Sequence, residues 1–175
     1  MSPISLNRPL ALIGFPCSGK TSVGQLLAQA LALPWLDSDQ LIAAATGQTP
    51  ADWLKTQGEP AFREIERDWL RAWTPQGPCV LSTGGGLPCY RDNLQLLAAK
   101  ALTVYLDLGF ETLSQRLLTP PGHALTRIYA ADGLKVLHHK RERIYRQAEL
   151  KVSADGTPEQ IAERILAVMA EQMDA

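Results

Sequence analysis

Residues 14–21 read GFPCSGKT, and this stretch constrains the fold more than any other part of the sequence. It satisfies every fixed position of the pattern G-x-x-x-x-G-K-[ST], and it lies between an apolar run and an amphipathic helical pattern. Glycines let such a loop wrap so that its N–H groups point inward, and the N-terminus of the following helix adds partial positive charge. We therefore predict that a nucleoside triphosphate binds here; a chance glycine-rich turn is the alternative.

The loop supplies most of the predicted nucleotide-binding residues. Lys20 is expected to reach the outer phosphates, and the Thr21 hydroxyl is suited to ligate Mg²⁺. Cys17 is expected to have no catalytic role, although a helix N-terminus can lower the pKa of a thiol. The predicted set within the loop is Gly14, Pro16, Cys17, Ser18, Gly19, Lys20, Thr21 and Ser22.

Five short apolar runs alternate with helical patterns along the chain. The runs are PLALIG, LPWLDSD, PCVLSTGGG, ALTVYLDLG and AELKVSAD. Strands that alternate with helices imply right-handed crossovers and a parallel sheet covered on both faces. We therefore expect one α/β domain across residues 1–175. The expected helix starts are Gly19 or Lys20, Thr49–Pro50, Gly58–Pro60 and Thr157.

Residues 117–133, LLTPPGHALTRIYAADG, show the weakest periodicity of the chain. Prolines and glycines interrupt the pattern there, between two well-defined helical patterns. The segment is either a plain surface loop or a mobile lid, and loops of this length generally have a functional reason.

Composition limits the classes of function and the cellular compartment that the chain fits. The formal net charge is −1, whereas nucleic-acid and anionic-membrane binders generally carry a basic surplus. The three cysteines show no C-x-x-C spacing and are too few for a disulfide framework, which favours a reducing compartment. The sequence has no signal-peptide layout and no run of about 18 apolar residues. We expect a cytoplasmic protein without nucleic-acid or membrane partners.

The second apolar run ends in two aspartates, and the third ends in three glycines. Asp37 and Asp39 flank a serine at the carboxyl edge of the expected sheet, where such folds bind their ligands. Helix capping explains one aspartate, and a magnesium or hydroxyl partner explains the pair equally well. The glycine run, residues 84–86, permits close backbone approach to a ligand, with a flexible turn as the alternative.

Two arginines accompany apolar helical stripes. Arg141 falls on such a stripe, and Arg63 lies one position beside another. An arginine on a buried stripe is costly unless it meets an anion or a carboxylate. Glu66, three residues after Arg63, is able to orient it. Each arginine is either a structural ion-pair partner or an anion-binding residue.

The order of these motifs resembles that of the shikimate kinase family over nearly the whole chain. The stretches that carry the resemblance are GFPCSGKT, LDSD, GEPAFREIE, STGGG and KRERIYR. The resemblance implies a three-layer α/β/α nucleoside-monophosphate-kinase-like fold with a mobile lid at about 117–133. It also implies transfer of the γ-phosphoryl group of ATP to the 3-hydroxyl of shikimate, with Mg²⁺ as the cofactor. We expect a monomer.

The resemblance assigns roles to the residues at matching positions. Lys20 and Thr21 would serve ATP and Mg²⁺, and Asp37 would support the magnesium shell. Asp39 would hold the acceptor hydroxyl and act as its base, while Arg116 would lie near the adenine. Two arginines would pair the carboxylate, and three glycines would contact the ring hydroxyls through their backbone. The implied substrate-binding set is Asp39, Arg63, Gly84, Gly85, Gly86 and Arg141.

The lid segment departs from the family pattern. The family usually carries R-P-x-L there, and the position of its arginine falls on Gly122. Arg127 is the nearest replacement, and with Lys20 and Asp39 it completes the predicted catalytic set. His123 could also donate if it is protonated.

A second departure lies on the substrate side. Leu54 stands where the family usually has an aromatic residue, and Trp53 is next to it. The altered lid leaves open a kinase-like paralogue that acts on another small hydroxy acid, or that binds ligands without efficient catalysis.

Overall fold

The structure is a computed structural model that describes residues 6–119, 123 and 125–173. The strands are β1 (Leu10–Ile13), β2 (Trp35–Asp37), β3 (Val80–Ser82), β4 (Leu102–Asp107) and β5 (Leu150–Ser153). They form one sheet in the order β2-β3-β1-β4-β5, and each neighbouring pair is parallel. Each strand falls in one of the five apolar runs, so the predicted α/β class and five-stranded parallel sheet are confirmed.

Helices connect the strands. In the described part of the chain they are α1 (Lys20–Leu31), α2 (Ser38–Thr46), α3 (Pro50–Thr56), α4 (Gly58–Ala72), α5 (Asn93–Ala98), α6 (Phe110–Leu118), α7 (Leu125–Ile128), α8 (Ala131–Tyr145) and α9 (Pro158–Met173). The predicted starts of α1, α3, α4 and α9 are confirmed. Among these helices, none combines the length and the apolar character that crossing a membrane requires.

Helices cover both faces of the sheet, as the three-layer arrangement requires. Helix α1 contacts α9 and the strands β1, β2 and β3, whereas α5 contacts β4 and α4. The central strand β1 is completely buried, as expected for a parallel strand that is covered on both sides. The loop that follows β1 therefore starts in the middle of the sheet, at its carboxyl edge, where α/β folds bind ligands.

Side-chain caps set the starts of two short helices next to this edge. Asp37 caps α2, because its Oδ1 accepts hydrogen bonds from the N–H groups of Asp39 at 2.8 Å and Gln40 at 3.2 Å. Thr49 and Asp52 form a capping box at the start of α3, with proline in the first helical position. Such caps satisfy backbone donors that the helix itself leaves unpaired.

The segment 117–133 contains a helical turn, α7, that the sequence pattern did not indicate. The N–H of His123 donates to the carbonyl of Leu117 at 2.9 Å, which folds the chain back toward α6. This part of the segment therefore contains regular secondary structure, and the choice between a surface loop and a mobile lid stays a prediction. Gly122 lies outside the described residues, so the change at that position and the mobility of the lid stay predictions.

One close contact ties α1 to the sheet. A Cβ added to Gly24 would lie 2.5 Å from Ser82 Oγ and 2.9 Å from Trp35 Nε1. The Ser82 hydroxyl accepts from Trp35 Nε1 at 3.1 Å and donates to the carbonyl of Lys20 at 2.9 Å. The first turn of α1 is thus held directly against β3, with no room for a side chain between them.

We expect Gly24→Ala to lower the free energy of unfolding by about 1–3 kcal/mol, because the added methyl group overpacks this contact. The better helix propensity of alanine, worth about 1 kcal/mol, acts in the opposite direction. Urea unfolding measures the difference. Gly77→Ala is the matched control, since a Cβ there meets nothing within 4 Å, and it should change stability by less than about 0.5 kcal/mol. Equal stability of the parent and Gly24→Ala would contradict this account of the contact.

Candidate active site

The loop between β1 and α1 wraps around the side chain of Lys20. The ammonium Nζ donates to the carbonyls of Gly14 and Phe15, both at 2.9 Å, and to Ser18 Oγ at 3.4 Å. Gly19, which precedes α1, has a φ of 98°, in the region that favours glycine. The predicted phosphate-binding loop therefore has the expected setting, with a buried lysine at the N-terminus of a helix.

Burial lowers the pKa of Lys20 from its ordinary value of 10.5 to about 8, and the negative charge of Asp39 partly opposes this shift. The side chain is therefore mainly protonated at pH 7. Because an incoming polyphosphate supplies the negative charge that the buried ammonium needs, phosphate binding should raise the pKa again.

Arg116 and Cys17 lie on the outer side of the loop. The guanidinium Nη1 of Arg116 donates to the carbonyl of Cys17 at 3.2 Å, so this arginine is placed against the nucleotide-binding loop. Burial raises the pKa of the Cys17 thiol above its ordinary value, and the positive charges of Lys20 and Arg116 only partly oppose this shift. A small cavity opens here, lined by Cys17, Gly19, Lys20, Thr21 and Ser22.

Asp37, the last residue of β2, and Asp39, two residues later, have different environments. Asp37 caps α2, so the capping interpretation holds for this residue. Asp39 Oδ1 is buried and has no hydrogen-bond partner among the described residues. Burial raises the pKa of Asp39, and the nearby charge of Asp37 raises it further. A buried carboxylate oxygen without a partner is suited to accept a hydrogen bond, and then a proton, from a ligand hydroxyl.

The glycine run allows three functional segments to approach one stretch of backbone. A Cβ added to Gly84 would lie 2.7 Å from Asp39 Oδ1, and one added to Gly85 would lie 2.6 Å from Pro16 Cδ. A Cβ added to Gly86 would overlap the guanidinium of Arg63. Sequence analysis predicted close approach to a ligand, and the structure shows close approach to protein groups that surround the cavity. Gly85 is therefore required for the shape of the site, because its Cβ would meet the ring and backbone of Pro16, whereas the contacts at Gly84 and Gly86 are with side-chain ends that can move.

Arg63 and Arg141 meet over the side chain of Glu59. Arg63 donates to Glu59 Oε1 through Nε at 3.2 Å and Nη2 at 2.8 Å, and through Nη1 to Glu66 Oε2 at 2.5 Å. Arg141 Nη2 lies 3.8 Å from the same Glu59 oxygen, and its guanidinium lies over the Phe15 ring. Both arginines therefore have ion-pair partners in the protein and are also brought close to each other.

Glu66 is almost completely buried, at 1% exposure. Burial raises the pKa of Glu66 to about 7, and the Arg63 guanidinium opposes this shift. The predicted role of Glu66 in orienting Arg63 is confirmed by their hydrogen bond.

A cavity of about 380 Å³ brings these motifs together. Its walls include Lys20 and Thr21 from α1, Asp37 at the end of β2, Asp39 at the start of α2, the glycine run, and the two arginines. Leu54 also contributes to the wall, whereas Trp53 donates through Nε1 to Thr46 at 3.2 Å. An aliphatic side chain thus stands where the family usually has an aromatic one.

The lid side of the same cavity is formed by His123, Leu125 and Ile128. Arg127, the expected replacement for the lid arginine, is exposed. It does not belong to the described wall of this cavity, and its catalytic role stays a prediction.

The donor set fits Mg²⁺, which prefers oxygen ligands and generally keeps several waters and phosphate oxygens. Thr21 and Asp37 both line the cavity. The capping bonds of Asp37 use Oδ1, which leaves Oδ2 for another partner. The described residues contain no group of three or more His, Cys, Asp or Glu side chains that could hold a metal ion.

Sequence reasoning did not identify three residues that position the site. Glu59 bridges the two arginines, and its place four residues before Arg63 on one helix is a signal that could have found it. Tyr145 Oη donates to the carbonyl of Gly85 at 2.5 Å, and Ser38 Oγ accepts from the N–H of Gly84 at 2.8 Å. No local pattern reveals these two, because their partners are distant in sequence.

Comparisons with known proteins agree with this geometry. The family model for shikimate kinase matches residues 16–170. The chain is 36% identical to a shikimate kinase of a Sulfurihydrogenibium strain, over 89% of this chain and 93% of that protein. It is 37% identical to a shikimate kinase of Trichormus variabilis, over 97% and 94%. The solved shikimate kinase of Acinetobacter baumannii in complex with shikimate aligns with a TM-score of 0.87 and 30% identity, over 95% of this chain and 94% of that one.

We expect MgADP binding at pH 8 to be accompanied by uptake of about half a proton, because the pKa of free Lys20 is about 8 and the bound phosphates favour its charged form. The uptake should approach zero at pH 6.5, where the free lysine is already protonated. Calorimetry in buffers of different ionisation enthalpy measures it. Lys20→Arg is the control and should show no uptake at either pH. Equal uptake by the parent and the variant at pH 8 would assign the proton to another group.

Proposed function

The chain belongs to the shikimate kinase family, and from this premise we propose that it transfers the γ-phosphoryl group of ATP to the 3-hydroxyl of shikimate. The products are ADP and shikimate 3-phosphate, within the biosynthesis of aromatic amino acids. The observation that carries the proposal is one cavity that is lined by Lys20, Asp39, Arg63 and Arg141. The solved relative from Acinetobacter baumannii, which holds shikimate, supports the same substrate.

The two arginines bind the substrate carboxylate in this proposal. Their guanidinium groups already share the carboxylate of Glu59, so an anion between them is compatible with their positions. Arginine forks bind carboxylates through paired, charge-assisted hydrogen bonds. Glu59 is 43% exposed, which leaves it free to turn toward water when the ligand carboxylate enters.

Asp39 holds the 3-hydroxyl and takes its proton. The unpartnered Oδ1 supports this assignment, because it is buried beside the glycine run and accepts no protein hydrogen bond among the described residues. The raised pKa of Asp39 makes it a stronger base than an exposed aspartate. The backbone of Gly84, Gly85 and Gly86 contacts the ring hydroxyls.

The nucleotide lies on the loop at 14–22. Lys20 binds the outer phosphates and stabilises the negative charge that shifts toward the leaving oxygen. Arg116 lies near the adenine, in keeping with its contact to Cys17. Thr21 and Asp37 would hold Mg²⁺, which neutralises phosphate charge when it is bound. Arg127 is the candidate lid cation that the sequence offers, but it is exposed and lies outside the described cavity wall, so its assignment competes with that of His123.

In an assay with MgATP and shikimate, the parent should form shikimate 3-phosphate. Asp39→Asn should lower kcat about 10²- to 10⁴-fold, since the general base is lost. Arg141→Lys should raise KM for shikimate about 10- to 100-fold and leave KM for ATP nearly unchanged, because a charged hydrogen-bond pair to the carboxylate is weakened. Steady-state kinetics with each substrate varied measures both effects.

Arg146→Lys is the matched control, because this exposed residue pairs with Glu142 on α8, outside the cavity. It should leave both KM values unchanged. The assay should be repeated with other small hydroxy acids. Transfer to one of these but not to shikimate would overturn the proposed substrate, and nucleotide binding without any transfer would favour the paralogue without efficient catalysis.

A further inference from the structure

Among the described residues of the lid side, one polar side chain lines the cavity. Of the residues between 117 and 133 that the structure describes, His123, Leu125 and Ile128 line the cavity. Leucine and isoleucine offer no hydrogen bond, so the imidazole of His123 is the group that can contact a phosphate from this side. It lines the same cavity as Lys20 and Arg141.

Local hydrogen bonds fix the position of His123. Its N–H donates to the carbonyl of Leu117 at 2.9 Å, and its own carbonyl accepts from Thr126 N at 2.9 Å and Thr126 Oγ1 at 2.7 Å. The ring nitrogen Nδ1 accepts from the N–H of Leu125 at 3.1 Å. The residue is therefore held at both backbone groups and at one side of its ring.

The bond to Nδ1 also determines which nitrogen carries the proton. In a neutral imidazole one nitrogen donates and the other accepts. Since Nδ1 accepts the backbone N–H, the proton of the neutral ring lies on Nε2. Burial, and secondarily the charges of Lys20 and Arg141, lower the pKa of His123 below its ordinary value of 6.5. The ring is therefore neutral at pH 7, and Nε2–H is a donor without a positive charge.

We propose that Nε2–H of His123 donates a hydrogen bond to the transferring phosphoryl group during the reaction. This inference rests on the proposed function, because it concerns the same cavity and the same γ-phosphoryl group. No proton is transferred from the imidazole; it stabilises charge on a phosphoryl oxygen as the bond to the leaving oxygen breaks. The sequence suggested a protonated His123 or the displaced Arg127, and the structure assigns the contact to the neutral histidine.

Two substitutions separate the hydrogen bond from the packing of the ring. His123→Ala should lower kcat about 10²- to 10³-fold, the range that follows the removal of one donor to a transition-state oxygen. KM for ATP and for shikimate should stay within about twofold, because the contact forms in the transition state. His123→Gln keeps an N–H donor at a similar distance from the backbone and should retain kcat within about fivefold.

His139→Ala is the matched control, because this histidine lies on α8 with 77% of its side chain exposed. It should leave kcat unchanged. Arg127→Ala tests the competing assignment. The proposal is overturned if His123→Ala keeps the kcat of the parent, if His123→Gln is as slow as His123→Ala, or if the loss appears with Arg127→Ala alone.

A binding measurement keeps this inference separate from the choice of substrate. Calorimetry with MgADP and aluminium fluoride, which mimics a transferring phosphoryl group, needs no acceptor. His123→Ala should weaken binding in the presence of fluoride about 10-fold or more, and it should leave MgADP binding alone unchanged. If the parent fails to phosphorylate shikimate but shows this difference, the substrate assignment fails and the role of His123 stands. Equal binding by both proteins with aluminium fluoride overturns the role of His123.

Discussion

The glycine run, residues 84–86, presents backbone without side chains, and the arrangement of the rest of the site depends on this. Three segments that are distant in sequence each press against it: the α2 start through Asp39, the phosphate-binding loop through Pro16, and α4 through Arg63. A side chain at Gly85 would collide with the ring and backbone of Pro16, and one at Gly84 or Gly86 would displace the carboxylate of Asp39 or the guanidinium of Arg63. The absence of side chains therefore lets these three groups approach the same stretch of backbone. Tyr145 and Ser38 fix the run itself through its carbonyl and N–H groups.

Around this backbone, buried charges of both signs share a small volume. Burial moves Lys20, Asp39 and Glu66 toward their neutral forms, since a charge removed from water is costly without a close partner. The protein supplies partial compensation, such as Glu66 for Arg63. Anionic ligands supply the remaining negative charge that the buried cations need. A ligand hydroxyl supplies a donor for the unpartnered oxygen of Asp39.

The lid side of the cavity differs chemically from the walls that carry Lys20, Asp39 and the two arginines. Two of its described wall residues are apolar, and the third is a histidine whose ring is fixed by a backbone N–H. The two apolar side chains offer no hydrogen bond to a phosphoryl group, so the histidine is the described polar contact on this side. A neutral donor also avoids adding a further cation close to Lys20 and Arg141.

The sequence by itself determined the five strands, the starts of α1, α3, α4 and α9, and the lysine of the phosphate-binding loop. These features depend on local periodicity, capping residues and glycine geometry, which a short stretch of chain contains in full. Only the tertiary structure decided that Asp37 caps a helix while Asp39 keeps an unpartnered oxygen, and that Glu59 joins two arginines. It also decided that His123, not Arg127, lines the cavity. The reason is physical: burial, ion pairing and the direction of a side chain depend on neighbours that the chain brings together only when it folds.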